Sequence, residues 1–329
     1  VFNEDNRIVL LKNNTLSFSS ADLYEVFLEN PASFNLPPFK NYDDVLSEFR
    51  KSKDSNLRIT ESAFSNLEEY SGTSLLKILD KDGMVIIDKY LISLDFEKEI
   101  VGLTTDLNLQ IDMAAKRFQN PKIQIFGFET DVLFELGLFS DNSSSNKKST
   151  EPIEGNSNLR LFTCPGTLQP GLNLPFKPNT SLSNPTEDRV AVYDPDPVTI
   201  GEYQYKISAK HTYQAAAIYF RLKSELEHYR RFNDFSSFWL PNEDPSMSIT
   251  YWGSFKPNNR SAINLDDCYN ECQGCTPQPA NKQKVQKIHH ESGRRLTQVN
   301  LNGIYRGKEG ANVPGALPYE FKLYPIIRN

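Results

Sequence analysis

The chain is poor in the residues that mark out chemistry. Its 329 residues include only 4 histidines, 4 cysteines, 3 methionines and 2 tryptophans, so few side chains are candidates for metal, thiol or imidazole work. It has no Gly-x-Ser-x-Gly elbow, no His-Glu-x-x-His helix and no phosphate loop, which removes the sequence basis for three large enzyme classes. No apolar run approaches the roughly 18 residues of a membrane-spanning helix. A charged-then-apolar export leader is missing as well, and the first residue is Val1; a trimmed segment and a processed mature form both read this way. Positive charge is in deficit, with 36 Lys and Arg against 42 Asp and Glu. That balance argues against nucleic acid as the partner, since phosphate binding needs net or local positive charge. Nothing in the sequence calls for a cofactor.

What is present suits a globular protein. Hydrophobic residues make up 38% and charged residues 24%, and the length favours two domains over one core. Taken in order, Arg7–Leu11 and Leu16–Phe18 read as strands. Ser19 with Asp22 resembles a capping box opening a helix whose stripe is Leu23, Val26 and Phe27, ended by Pro31. Further helices are expected over Asp43–Lys51 and Thr60–Tyr70. The Asp82-Gly83 pair marks a turn between apolar runs at Leu75–Leu79 and Met84–Ile87. With Tyr90–Leu94 and Ile100–Leu103 these read as a β-meander. Asp106–Phe118 reads as a helix, Lys122–Phe128 as a strand and Thr130–Leu136 as a short helix.

The Ser/Asn-rich stretch 140–157 cannot bury a core and reads as a linker. It separates an α+β domain, 1–139, from a mainly β, sandwich-like domain, 158–329. The second domain begins with a strand at Leu159–Phe162, a Pro-rich loop, 164–188, and a strand at Arg189–Tyr193. It carries a Cys-containing loop at 257–280. Its organising stretch is Glu202–Phe232. Tyr203, Tyr205, Ile207, Ala209, His211 and Tyr213 alternate with polar residues, the period of a half-buried strand. After Ala215 the apolar set moves to the even positions, so a turn or bulge is expected near Gln214–Ala217. Ile218, Leu222, Leu226 and Tyr229 also fit a helical stripe, and Ser224 and His228 interrupt strict strand alternation. Met247–Phe255, Val285–His289, Arg295–Leu301 and Tyr319–Tyr324 are further strand candidates.

The segment LLKILDKDGMVIIDKYLISLDFEKEIVGL, with KIQIFGFETDVLFELG after it and AKHTYQAAAIYFRLKSELEHYRR in the second half, resembles a family of secreted or lipid-anchored Bacteroidetes proteins of unknown function. The resemblance implies export to the periplasm or cell surface, is compatible with a lipid anchor upstream of residue 1, and favours strand over helix after Gln214. It carries no catalytic residue with it.

Two constellations offer chemistry. Cys268, Cys272 and Cys275 are closely spaced, with Cys164 upstream. Disulfides pinning a turn-rich loop need no further assumption in an exported chain. A zinc site completed by Cys164, His289 or His290 would lack the usual second tight ligand pair. Lys284, Lys287, Arg294 and Arg295 form a local basic excess that could hold an acidic glycan, phosphate or headgroup; a solvated strand face is the plainer reading. His211 lies on the apolar side of its strand and is expected to be a hydrogen-bonded structural histidine. Asp80-x-Asp82-Gly83 opens like a calcium loop but lacks the later ligands, so a hairpin turn is the better account. The expectation is a non-enzymatic exported protein that binds a glycan, another surface protein or cell-envelope material. A glycan-active hydrolase with paired carboxylates near the domain junction and a structural adhesin are the alternatives.

Overall fold

In the computed structural model the described residues are 8–11, 14–52, 67–139, 190–193, 197–233, 238–241, 247–269, 284–308 and 318–328. The protein is mainly β, with its helices in the N-terminal region and sheet dominating the remainder. The expected linker, the Pro-rich loop, the strand at Leu159–Phe162, most of the helix at Thr60–Tyr70 and residues 270–280 of the Cys-containing loop lie outside the described residues; the first part of that expected loop is instead largely strand, Ile263–Tyr269. By its contacts the chain divides into two compact units. The first comprises Val1–Asn142 together with Gln214–Phe220 and Glu291–Arg295; the second comprises Ser143–Tyr213, Arg221–His290 and Leu296–Asn329.

The first unit is built on one sheet of six strands. Its elements are β1 (Ile8–Leu10), β2 (Leu16–Phe18), α1 (Ala21–Glu29), α2 (Tyr42–Ser52), α3 (Ser74–Ile78), β3 (Met84–Ile87), β4 (Tyr90–Asp95), β5 (Ile100–Thr104), α4 (Gln110–Ala114), β6 (Gln124–Gly127) and α5 (Val132–Glu135). The strands lie in chain order, all antiparallel except the β2–β3 pair. Alternate residues of β3 enter different clusters: Val85 and Ile87 pack with α1 and α3, Met84 and Ile86 with Met113, Phe118 and Ile123. Both faces of this strand are buried, which is why its sequence is an unbroken apolar run.

Three local expectations change. The cap of α1 is Ser20, not Ser19; its hydroxyl accepts from the Leu23 amide. Leu75–Ile78 is helical and Leu79 is its extended C-cap, because Thr73 caps a turn of helix at Ser74, and the meander starts only at Met84. Asp106–Phe118 is not one helix but a 3-10 turn, Leu107–Leu109, followed by the five-residue α4. The Asp82-Gly83 turn is a staple. Asp80 accepts from the amides of Asp82 and Met84 and from the Thr15 hydroxyl. The Lys116 ammonium donates to the Asp82 carbonyl and the Ser93 hydroxyl, both at 2.7 Å.

Residues 214–220 complete the core of this unit. Ala216, Ala217, Ile218 and Tyr219 are fully buried within it. The Tyr24 hydroxyl donates to the Ile218 carbonyl and the Tyr70 hydroxyl to that of Ala215. Ala217 takes a left-handed φ of 59°, and its amide and carbonyl bond Phe128 and Val132.

The second unit holds β7 (Val190–Tyr193), β8 (Val198–Ile200), β9 (Tyr203–Ala215), β10 (Phe220–Phe232), β11 (Leu240–Pro241), β12 (Ser248–Pro257), β13 (Ile263–Tyr269), β14 (Lys284–Ser292), β15 (Leu296–Lys308) and β16 (Pro318–Arg328), except for the few residues of β9, β10 and β14 counted in the first unit. Strand wins over helix after Gln214, and the turn falls where the apolar set changes parity. One sheet runs β11-β10-β9-β7, with β14 also on β10 and β8 on β9; the other runs β13-β12-β15-β16. Gly253 in β12 is required by its neighbour. It sits at φ 131°, and a Cβ there would lie 1.8 Å from the Asn300 carbonyl oxygen, where no side chain fits.

Candidate functional site

The second unit offers two places with chemistry, one buried and one exposed. The buried one begins with the interruptions in β10. Ser224 and His228 stand among Phe220, Leu222 and Leu226 on its even positions, and all five are buried. The Ser224 hydroxyl lies 2.8 Å from Nδ1 of His211 in β9 and 2.8 Å from Nε2 of His289 in β14. The Tyr305 hydroxyl of β15 reaches His211 Nδ1 at 3.1 Å. Gly303 makes room for this imidazole, since a Cβ there would come within 2.8 Å of its Cε1. Burial, reinforced by the other basic groups nearby, holds both imidazoles down at about 3. Burial likewise pushes the Tyr305 hydroxyl far above its ordinary range. Both rings are therefore neutral at physiological pH. With one proton and two lone pairs, the Ser224 hydroxyl donates to at most one of the two rings and accepts from the other or from both.

A serine 2.8 Å from an imidazole is the pairing used in acyl transfer. Here the hydroxyl is fully buried and engaged on two sides. Its arrangement suits a polar joint linking three strands, and His211 is the hydrogen-bonded structural residue that its position in the sequence suggested.

Beside it, Glu225 is 1% exposed and sits in a ring of ammonium groups. Lys210 and Lys223 approach at 3.1 Å and Lys284 at 2.5 Å. Burial opposes ionisation, but Lys223, Lys210 and Lys284 outweigh it and hold the carboxyl at about 2. Lys284 also pairs with Glu227 at 3.0 Å.

The exposed place is the far end of the same strands. Leu240 of β11 stands opposite Arg230 of β10, so Leu240, Arg230 and Phe232 share a face. Phe232 packs on Tyr203 with ring centroids 4.7 Å apart, and the Arg230 guanidinium lies 5.5 Å from the same ring. Trp239 carries Arg231 at 4.5 Å and Lys206 at 5.9 Å. Gln204 orients Arg231 through a 2.8 Å bond. Phe232, Phe238 and Leu240 remain 51%, 88% and 59% exposed.

No family model, curated protein or solved structure matches the chain.

The residues singled out from the sequence fall as follows. Lys284 is committed to Glu225 and Glu227, and Lys287 lies half-buried on the same strand. Arg294 and Arg295 belong to the first unit. The Arg294 guanidinium is 3.5 Å from Glu25 and 3.7 Å over the Phe139 ring. Arg295 lies 3.7 Å from Glu129, and its amide donates to Asp131. Glu25 also accepts from Ser292 and from the Gly293 amide. Burial raises its pKa against those bonds. Lys284, Arg294 and Arg295 thus have carboxylates beside them.

His289 is bonded to Ser224, and the His290 ring lies 5.3 Å from Phe255. Cys268 falls in β13, paired with Thr250 of β12. Cys164, Cys272 and Cys275 lie outside the described residues. Among the described residues no group of three or more His, Cys, Asp or Glu is gathered to hold a metal ion, and no helix is long and apolar enough to cross a membrane.

The Ser224 cluster was missed because its members are 13 and 65 residues apart in sequence. The signal was present as the two polar residues breaking the apolar stripe of β10. The exposed edge left a weaker trace, the aromatic and basic residues that cluster at Tyr203–Lys206 and Arg230–Leu240.

Proposed function

We propose that this is a non-enzymatic exported protein of the cell surface or periplasm. It binds cell-envelope material through the β11 end of a sandwich-like C-terminal domain. The observation carrying this reading is the exposed edge itself. Three large apolar side chains stand in water, flanked by Arg230, Arg231 and Lys206. Large exposed apolar groups gathered at one place and rimmed by polar ones are the usual mark of an interaction site. Ser224 and His211, by contrast, are fully buried.

The test is pelleting of the protein with isolated envelope fragments, wild type against Phe232→Ser/Leu240→Ser, alongside an assay for released reducing ends. Pelleting by the wild type that the double variant loses, without release of sugar, is the expected result. Release of reducing ends would favour the glycan-active hydrolase and overturn this reading. Equal pelleting by both proteins would remove the edge from the function.

A further inference from the structure

We propose that Lys223 and Gln286 join in a covalent amide bond that cross-links β10 to β14, with Glu225 moving the protons and Arg221 steadying the oxygen. The bond stands apart from the binding role proposed above and makes the lysine ring a modification site. Alternation puts Arg221, Lys223 and Glu225 on one face of β10, and β14 pairs with β10. The neighbours of Gln286 in β14 fix how its amide is turned. Its oxygen accepts from Arg221 Nη2 at 2.6 Å, and its nitrogen donates to Glu225 Oε2 at 3.3 Å. The Lys223 ammonium donates to that same oxygen at 3.1 Å. A nucleophile and a polarised amide are thus held on one carboxylate oxygen.

These are the parts of an acyl transfer between side chains. Lys223 Nζ attacks Cδ of Gln286; the Nζ–Cδ bond forms, the Cδ–Nε2 bond breaks, and the amide nitrogen departs. One proton of the Lys223 ammonium stays on the new amide. Glu225 relays the other two to the departing nitrogen, which leaves as ammonium, and ends as the carboxylate it began. No oxidant or further reactant is needed. While the carbonyl oxygen carries charge, the Arg221 guanidinium stabilises it. Arg221, Lys223 and Glu225 are 6%, 7% and 1% exposed, which keeps these groups out of water and strengthens their action on the reacting atoms. Lys223 is a better nucleophile than its neighbours. Burial lowers its pKa against the pull of Glu225 and favours the free amine. At Lys284 burial is outweighed by Glu225 and Glu227, so the pKa rises, and 41% of that side chain is in water. Lys210 meets the other carboxylate oxygen.

The experiment is intact mass spectrometry of the full chain, denatured and reduced, followed by tryptic mapping. Wild type is expected to be lighter than its sequence by one ammonia, about 17 Da. Trypsin should leave Lys223 uncut and yield Leu222–Arg230 joined to Val285–Lys287. Lys223→Arg, Glu225→Gln and Gln286→Leu should each have the full sequence mass and give no joined peptide.

Wild type at its full sequence mass would overturn the cross-link, and so would a deficit without the joined peptide. A joined peptide carrying Lys210 or Lys284 would overturn Lys223 as the nucleophile. A cross-link that still forms in Glu225→Gln would overturn the relay. The wild-type peptide decides the bond even where a variant fails to fold.

Discussion

Removing the charge of Glu225 should destabilise the second unit at neutral pH and leave its acid stability unchanged. The carboxyl ionises at about 2 in the folded protein against an ordinary value of 4.5. At about 1.36 kcal/mol per pKa unit, this difference corresponds to about 3 kcal/mol of folding free energy. Lys210 and Lys284 keep 37% and 41% of their side chains in water, so screening trims the figure to about 2 kcal/mol. Because the folded pKa is the lower one, this stability is present above pH 4.5 and is lost as pH falls through about 2. Urea unfolding followed by tryptophan fluorescence reads the right unit, since Trp239 and Trp252 both belong to the second. In a Gln286→Leu parent, which cannot cross-link, Glu225→Gln should be about 2 kcal/mol less stable than the parent at pH 7, and the gap should close as pH approaches 2. A gap that stays constant across this range, or one below about 0.5 kcal/mol at pH 7, would refute the electrostatic account of the lysine ring.

Three further outcomes follow from contacts described above. Ser224→Ala nearly keeps the volume but strips a partner from the buried His211 and the half-buried His289, and should cost about 2 kcal/mol in the same urea assay; a neutral substitution would show that the cluster is not a joint. Gly253→Ala drives a methyl group onto the Asn300 carbonyl, and should cost about 3 kcal/mol or more, read as a lowered melting temperature; wild-type melting would mean that the β12–β15 approach is looser than drawn. Glu25→Ala takes from Arg294, 3% exposed, the carboxylate 3.5 Å away, and should cost about 3–5 kcal/mol in calorimetry; Glu25→Gln, which keeps an acceptor for the Gly293 amide, should recover part of that loss.

Period carried most of the fold. The alternation of Tyr203–Tyr213 marked β9, and the change of parity after Ala215 located the turn. Where local chemistry competed with period, the sequence misled. Leu75–Leu79 is as apolar as a strand, yet Thr73 caps it into helix. In α1 two adjacent serines compete for one cap, and Ser20 takes it. The site was less legible still. A ring of lysines around Glu225 draws on β9, β10 and β14, and strand register is set by distant pairing that a single sequence does not display. The basic run at Lys284–Arg295 looked like a free surface because its carboxylate partners, Glu225, Glu25 and Glu129, are far away along the chain.

Residues 214–220 and 291–295 fill out a unit otherwise made of Val1–Asn142. A ribosome that has finished the first 142 residues has therefore made an interior with a gap. Tyr24 and Tyr70 wait for carbonyls about one and a half to two hundred codons downstream, and Glu25 waits for Ser292 and Gly293, later still. Until those arrive, the apolar surface around Tyr24 and Leu76 stands open, the condition under which nascent chains aggregate or recruit holdases. For the exported protein proposed above that delay is an advantage, because a polypeptide that cannot close early stays threadable until its last strands are across.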